Sequence, residues 1–241
     1  MGDSAKNGRV AVVTGAAGAL GQALVTELVT QGWHVCAGIH RKNRAGDQPG
    51  VLTVPLDVTN REQVETAVEQ VLGKWGRIDV LVNNAGIVRD AALWEMTEED
   101  FQEVLNVNLR GAYLCSQLAL RPMLKQRDGH IVNISSFSGR CGSRGQANYA
   151  TAKAGLFGLT TSLAREVGSR NIRVNAVLPG VLESGITAGL KPEQMEAYAR
   201  ANALSRINSV EEVARFVAFL VTMQNASGQI FQLDSRIAPW T

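Results

Sequence analysis

Residues 12–24 read VVTGAAGALGQAL: a strand-length apolar run ending at Thr14, glycines at 15, 18 and 21, and a helical pattern beginning near Ala19. Glycine lets the backbone turn tightly between strand and helix and approach a ligand closely, and the helix N-terminus that follows favours a pyrophosphate. Such turns also arise for helix–strand packing alone, so the surrounding chain has to decide. It continues in one alternation. Apolar runs at RVAVVT, HVCAGI, VLTVPL, RIDVLVN, HIVNISS, IRVNAVL and QIFQLD are separated by helical segments such as REQVETAVEQVLGKW and VEEVARFVAFLVT. Strands that are apolar throughout are buried on both faces, which a parallel sheet covered by helices requires. The pattern predicts an α/β fold: a single-domain, doubly wound parallel sheet of about seven strands over residues 1–241. EEDFQEVLNVNLRGAYLCSQLALRPML reads as one helical run.

Bulk properties agree with a folded enzyme-sized domain. The 241 residues are 45% hydrophobic, enough for a large core, and no linker or repeat divides them. A net charge of +2 without a basic stripe argues against nucleic-acid binding. Three cysteines without ligand spacing suggest reduced thiols in the cytoplasm, with no metal site. No apolar stretch reaches the roughly 20 residues of a membrane span, so no membrane association is expected.

Ligands of such sheets bind outside the carboxyl ends of the strands. The link after the second strand, IHRKNR, has no acidic residue before Asp47. A basic link accommodates a 2′-phosphate where an acid would take a free ribose hydroxyl, so NADP is expected; a merely solvated basic loop is the alternative. LDVTN (56–60) places Asp57 at the end of the third strand, where Asp57, Thr59 or Asn60 caps the next helix or the Asp57 carboxylate meets an adenine amino group. LVNNAG (81–86) ends the fourth strand in two amides, which either order the loop or face a cofactor. In NYATAKAG (148–155), Tyr149 and Lys153 lie four residues apart and therefore on one helix face. A nearby cation favours the phenolate and lowers the phenol's pKa, making a general acid/base. Ser136, in NISSFSG, ends the fifth strand at the same sheet edge, and Asn108 sits with Gly111 inside VLNVNLRGAYL, where a kink or a needed amide is expected. Residues 181–208, loop around helix-like KPEQMEAYARA, are the candidate lid over the substrate.

TGAAGALG, LDV, NNAG, NVNLRG, NISS, YATAK and LPGVLES together resemble, in order and spacing and over the whole chain, the short-chain dehydrogenase/reductase family. The resemblance implies a Rossmann-type sheet and hydride transfer between a nicotinamide and a carbonyl or alcohol. It implies catalytic roles for Asn108, Ser136, Tyr149 and Lys153: Tyr149 as proton donor, Ser136 orienting the carbonyl oxygen, Lys153 lowering the tyrosine pKa and holding the ribose, Asn108 supporting a proton-relay water. It further implies that NADP is held by Gly15, Ala17, Gly18, Leu20, Gly21, His40, Arg41, Asp57, Val58, Asn83, Asn84, Ala85, Gly86, Tyr149, Lys153, Pro179, Gly180, Leu182 and Ser184.

Within the family the chain looks most like bacterial 3-oxoacyl-[acyl-carrier-protein] reductases, which implies NADPH-dependent reduction of a 3-oxoacyl thioester in lipid metabolism. Arg127 and Arg170 fall where that subgroup carries residues proposed to contact the acidic carrier protein; exposed helix-end charges are the alternative. A homo-oligomer, tetramer or dimer, is implied as well. Three departures stand out: Ala19 at the middle glycine of T-G-x-x-x-G-x-G, a short link after strand two, and LDSRIAPW in place of a D-G-G type ending, which leaves the subunit geometry and a hetero-partner open. Rival readings are a reductase or dehydrogenase of another small ketone, sugar or alcohol, and a poorly active binding or regulatory subunit of the same fold.

Overall fold

The computed structural model describes residues 8–40, 49–185 and 187–237. All positions of Val10–Thr14 (β1), Val80–Asn83 (β4), Gly129–Ile134 (β5) and Ile172–Leu178 (β6) are buried. With His34–Ile39 (β2), Val51–Pro55 (β3) and Ile230–Gln232 (β7) they form one parallel seven-stranded sheet in the order β3-β2-β1-β4-β5-β6-β7. The expected α/β single-domain sheet is therefore present. Because every strand points the same way, all seven carboxyl ends lie at one edge, and the order reverses between β1 and β4, the place at which sheets of this kind bind ligands.

Helices cover both faces. On one, Ala19–Thr30 (α1) and Val210–Leu220 (α8) bury Leu20, Leu24, Leu28, Val213 and Val217 against β1, β2 and β4. On the other, Arg61–Trp75 (α2), Gly111–Gln126 (α4) and the end of Ala147–Val167 (α6) bury Val64, Val71, Leu114, Leu118 and Val167. α2 starts at Asn60, whose side chain accepts from the Gln63 N–H at 3.1 Å, and stops at Gly76 in the left-handed region at φ +75°. Glu98–Leu105 (α3), the turn-length Ser138–Cys141 (α5) and Pro192–Arg200 (α7) complete the set. Among the described residues no helix is long and apolar enough to cross a membrane.

The run read as a single helix from Glu98 is interrupted: α3 and α4 are separated by a π-helical turn, Asn106–Arg110. Gly111 follows it because α4 begins against Val58; a Cβ at 111 would lie 2.6 Å from Val58 Cγ2. A buried polar chain then fixes the helices to the sheet. Asn83 Nδ2 donates to Asn133 Oδ1 at 2.8 Å and Ser116 Oγ at 3.0 Å, and Asn133 Nδ2 donates to Thr160 Oγ1 at 2.9 Å, joining β4, α4, β5 and α6.

Gly21 and Gly73 separate the two uses of glycine. A Cβ at Gly21 would lie 2.7 Å from the Ala16 Cα, so α1 packs onto the first turn only without a side chain there. Gly73, on the exposed side of α2, has nothing near. Urea denaturation is expected to show Gly21→Ala losing about 1–3 kcal/mol through overpacking, and Gly73→Ala gaining roughly 0.4–1 kcal/mol through helix propensity and a less flexible unfolded chain.

Candidate active site

The carboxyl edge of the sheet gathers the candidate residues in four groups, drawn from the connections that follow β1 to β6. The first is the β1–α1 turn. Gly15 takes φ +64° and leaves no room for a side chain, since a Cβ would sit 2.8 Å from the Ala85 Cα. Ala17 and Gly18 are exposed, and α1 begins at Gly18 without a side-chain cap, so its first N–H groups face outward unclaimed by any side chain. Gly18 takes the N-cap and Ala19 the first helical position; Ala19 is partly exposed at the mouth of the turn. Asn84 joins this turn to β4: its Nδ2 donates to the carbonyls of Thr14 and Gly15 at 3.0 and 3.1 Å. Thr14 Oγ1 accepts from the N–H groups of Asn84 and Ala85, both at 3.0 Å. Of the two amides of LVNNAG, Asn84 thus orders the loop. Asn83 is used inside the sheet, Asn84 at its edge.

The second connection holds Asp57. Asn60 is the helix cap, while Asp57 Oδ1 accepts from Thr59 N–H and Oγ1 at 2.8 and 2.7 Å. Its other oxygen lies 3.8 Å from Nδ1 of exposed His40. Arg41 lies outside the described residues. Val58, Leu20 and Leu182 have core side chains, so what they present to a ligand is backbone.

The third connection runs from β5 into α6. Lys153 is 4% exposed, and its Nζ donates to the Ile134 carbonyl at 2.8 Å. Ser135 Oγ donates back to the Lys153 carbonyl at 2.8 Å, which clamps α6 to the end of β5. Tyr149 is 9% exposed, with the Ser136 hydroxyl near enough to act on its phenol and Lys153 Nζ 5.6 Å from its ring centre. The start of α6 is set by Asn148, fully buried: its Oδ1 accepts from the Tyr149 N–H at 2.7 Å and its Nδ2 donates to the Arg89 carbonyl at 2.9 Å. The π turn brings in Asn108, 1% exposed, whose side chain takes both backbone groups of Ile87, at 2.8 and 2.9 Å. A Cβ on Gly86 would meet Asn108 Oδ1 at 3.3 Å and Lys153 Nζ at 3.6 Å, so Asn108 and Lys153 flank one spot.

Electrostatics modify one expectation. Burial pushes the Tyr149 phenol up to about 12, against the Ser136 hydrogen bond, with the charge of Asp90 adding to the rise. Burial, the largest of these causes, sets the resting phenol, and Lys153, the cationic partner expected to lower its pKa, is not among them. Burial also draws the Lys153 ammonium down to about 8. The resting phenol is therefore protonated and able to donate, and the positive charge beside it is present only below about pH 8.

The fourth connection, after β6, carries Pro179, Gly180 at φ +86°, Leu182 and Ser184 at the same edge. Arg127 and Arg170 are elsewhere. Each immediately precedes a strand, β5 or β6, and so lies at the opposite edge, roughly 20 Å away for a strand of this length. Within one chain they do not meet the site. Asn148, Ser135, Thr14 and the Ile134 carbonyl escaped the sequence reading; the paired Ser135–Ser136 and the Asn before Tyr149 were the available signals.

A phenol, a hydroxyl and a buried ammonium meeting beside an uncapped helix N-terminus can donate hydrogen bonds and a proton to a carbonyl oxygen. Comparison with known proteins places this geometry. Residues 9–196 match the short chain dehydrogenase family model. The chain is similar to the 3-oxoacyl-[acyl-carrier-protein] reductase FabG of Thermotoga maritima, 44% identical over 94% of this chain and 96% of the relative. It is also similar to FabG of Escherichia coli, 38% identical over 91% and 92%. Among solved structures it superimposes on ElxO with NADP bound at a TM-score of 0.88, 29% identical, covering 95% of this chain and 98% of that one. With the family match spanning most of the chain and the relatives nearly all of it, the protein belongs to the short-chain dehydrogenase family.

Proposed function

We propose that this chain is an NADPH-dependent ketoreductase of the cytoplasm that converts a 3-oxoacyl thioester, held on a carrier protein or coenzyme A, to the 3-hydroxyacyl thioester. The observation that carries the reading is the meeting of Ser136, Tyr149 and Lys153 at the carboxyl edge, next to the Gly15–Gly18 turn. The names of relatives that match over nearly the whole chain supply the substrate class.

The turn fits a dinucleotide: Gly15 is held where no side chain fits, and the N-terminus of α1 lacks a competing side-chain cap. His40, exposed at the end of β2, and Arg41 suit a 2′-phosphate. Bound NADPH supplies a hydride to the carbonyl carbon. The rest of the chemistry belongs to the protein. Ser136 donates a hydrogen bond that orients the carbonyl oxygen, and Tyr149 transfers its phenolic proton to that oxygen. Lys153 favours the phenolate left behind and holds the nicotinamide ribose. Asn108 fixes the Gly86–Ile87 backbone beside Lys153, where a water can return protons to it. Residues 181–208 close over the substrate as a lid.

With acetoacetyl-CoA and NADPH, steady-state assays are expected to show cofactor oxidation. Tyr149→Phe should lose about 10³-fold in kcat while binding NADPH normally, since a positioned proton donor contributes 10²–10⁴-fold; near-normal activity of the variant would remove Tyr149 from the mechanism.

The alkaline limb of the rate profile tests Lys153. Its ammonium is lost above about pH 8, well before Tyr149 ionises. Between pH 6 and 10, kcat/KM should hold on the acid side and fall about tenfold per unit beyond that point, as a single required proton demands. A flat profile to pH 10 would show the charge is not needed.

A further inference from the structure

The segment after β7, Gln232 to Arg236, connects three parts of the site that have no sequence tie to one another. Toward the Ser136 bend, the Arg236 guanidinium lies 3.8 Å from the centre of the Phe137 ring, and Gln232 Oε1 accepts from Arg140 Nη1 at 3.2 Å. Toward the turn after β6, the Asp234 side chain packs under Gly180, where a Cβ would come within 2.8 Å of the Asp234 Cβ. Toward the end of the lid, Ser235 N–H and Oγ donate to Oδ1 of buried Asn202 at 3.1 and 3.3 Å, and Ser235 O and Oγ accept from the N–H groups of Ala203 and Leu204, both at 3.1 Å. The shape of the segment is fixed internally. Arg236 and Asp234 form an ion pair with side chains 13% and 2% exposed, and Gln232 Nε2 donates to Asp234 Oδ1 and the Arg236 carbonyl, both at 2.7 Å.

A buried ion pair adds little net stability over a well-packed apolar pair, because desolvating both charges cancels most of their attraction. What it supplies here is geometry. The planar guanidinium can stack on a ring and bond a carboxylate at once, which a lysine cannot do. Phe137 is the residue next to Ser136, so the stacked face fixes the bend that carries the Ser136 hydroxyl. The same tail anchors residues 202–204 of the lid segment.

We propose that Arg236 is a positioning residue for the reduction: through Phe137 it holds the Ser136 bend, and through the Asp234–Ser235–Asn202 chain it holds the end of the lid, making residues 232–236 a latch between the two walls of the substrate cleft. This rests on the ketoreductase reading of Ser136 and Tyr149. The latch sits where the sequence departs from the D-G-G type ending, and it assigns a role to that departure.

The test compares wild type, Arg236→Ala and Arg236→Lys by three readouts: steady-state kinetics with acetoacetyl-CoA, NADPH binding by fluorescence, and hydrogen exchange of the free protein. Arg236→Ala should cost at least about tenfold in kcat/KM, in line with small misplacements of reacting groups, with NADPH affinity within about twofold of wild type since the nucleotide turn is untouched. Arg236→Lys keeps the pair with Asp234 and loses the planar stack, so it should restore KM but not kcat. In Arg236→Ala, exchange should rise together at residues 137–140 and 202–205, with α1 unchanged. Wild-type constants in Arg236→Ala, or exchange that rises at only one of the two walls, would overturn the latch. So would a parallel loss of NADPH binding and activity in both variants, which would mark a general folding role. If wild type itself fails to turn over the thioester, the ketoreductase reading falls instead, and the exchange comparison still decides whether the two walls are coupled.

Discussion

A lysine ammonium buried to 4% exposure, donating to the Ile134 carbonyl at 2.8 Å, is the interaction on which the site depends. An ammonium away from water needs hydrogen-bond partners, and this carbonyl lies at the last residue of β5, one of the central strands. Meeting it forces the first turns of α6 against the sheet edge, and Ser135 closes the clamp from the other side. Gly139 permits the approach: a side chain there would lie 2.7 Å from the Lys153 and Ala154 backbone. Tyr149, one turn earlier on the same helix, is then carried beside Ser136. Burial that sets this geometry also sets the chemistry, keeping the phenol protonated and the ammonium readily titratable.

The parallel sheet does the rest by direction. Since all strands run one way, the glycine turn after β1, the Asn84 loop after β4, the Ser136 bend after β5 and the Gly180 turn after β6 meet at one edge. The same rule removes Arg127 and Arg170 from the site of their own chain. Their connections enter β5 and β6, so they lie where the strands begin.

Much of this was legible in the sequence because it follows from periodicity and from residue types that are costly elsewhere. Seven apolar runs gave seven parallel strands, four of them buried at every position. Glycines 15 and 21 sit where side chains do not fit, and the i, i+4 spacing put Tyr149 and Lys153 on one face. An Asn beside a Gly inside an apolar helix signalled an irregularity at Asn108, although the sequence did not show that it would be a π turn or that the amide would be taken up by Ile87. Other features depend on three-dimensional burial, which spacing does not report. The Tyr149 phenol moved up because burial desolvates it. Asn60 rather than Asp57 caps α2, because Asp57 is engaged by Thr59. The role of the Gln232–Arg236 segment was hidden because its partners, Phe137 and Asn202, are far away in the chain.

Hydride delivery to the substrate carbon is the central claim, and isotope transfer reads it most directly. NADPH carrying deuterium at both C4 positions would be turned over with acetoacetyl-CoA and the product examined by mass spectrometry. The account predicts one deuterium at C3 of the 3-hydroxybutyryl thioester. A product without label at that carbon, or no product at all, would contradict it.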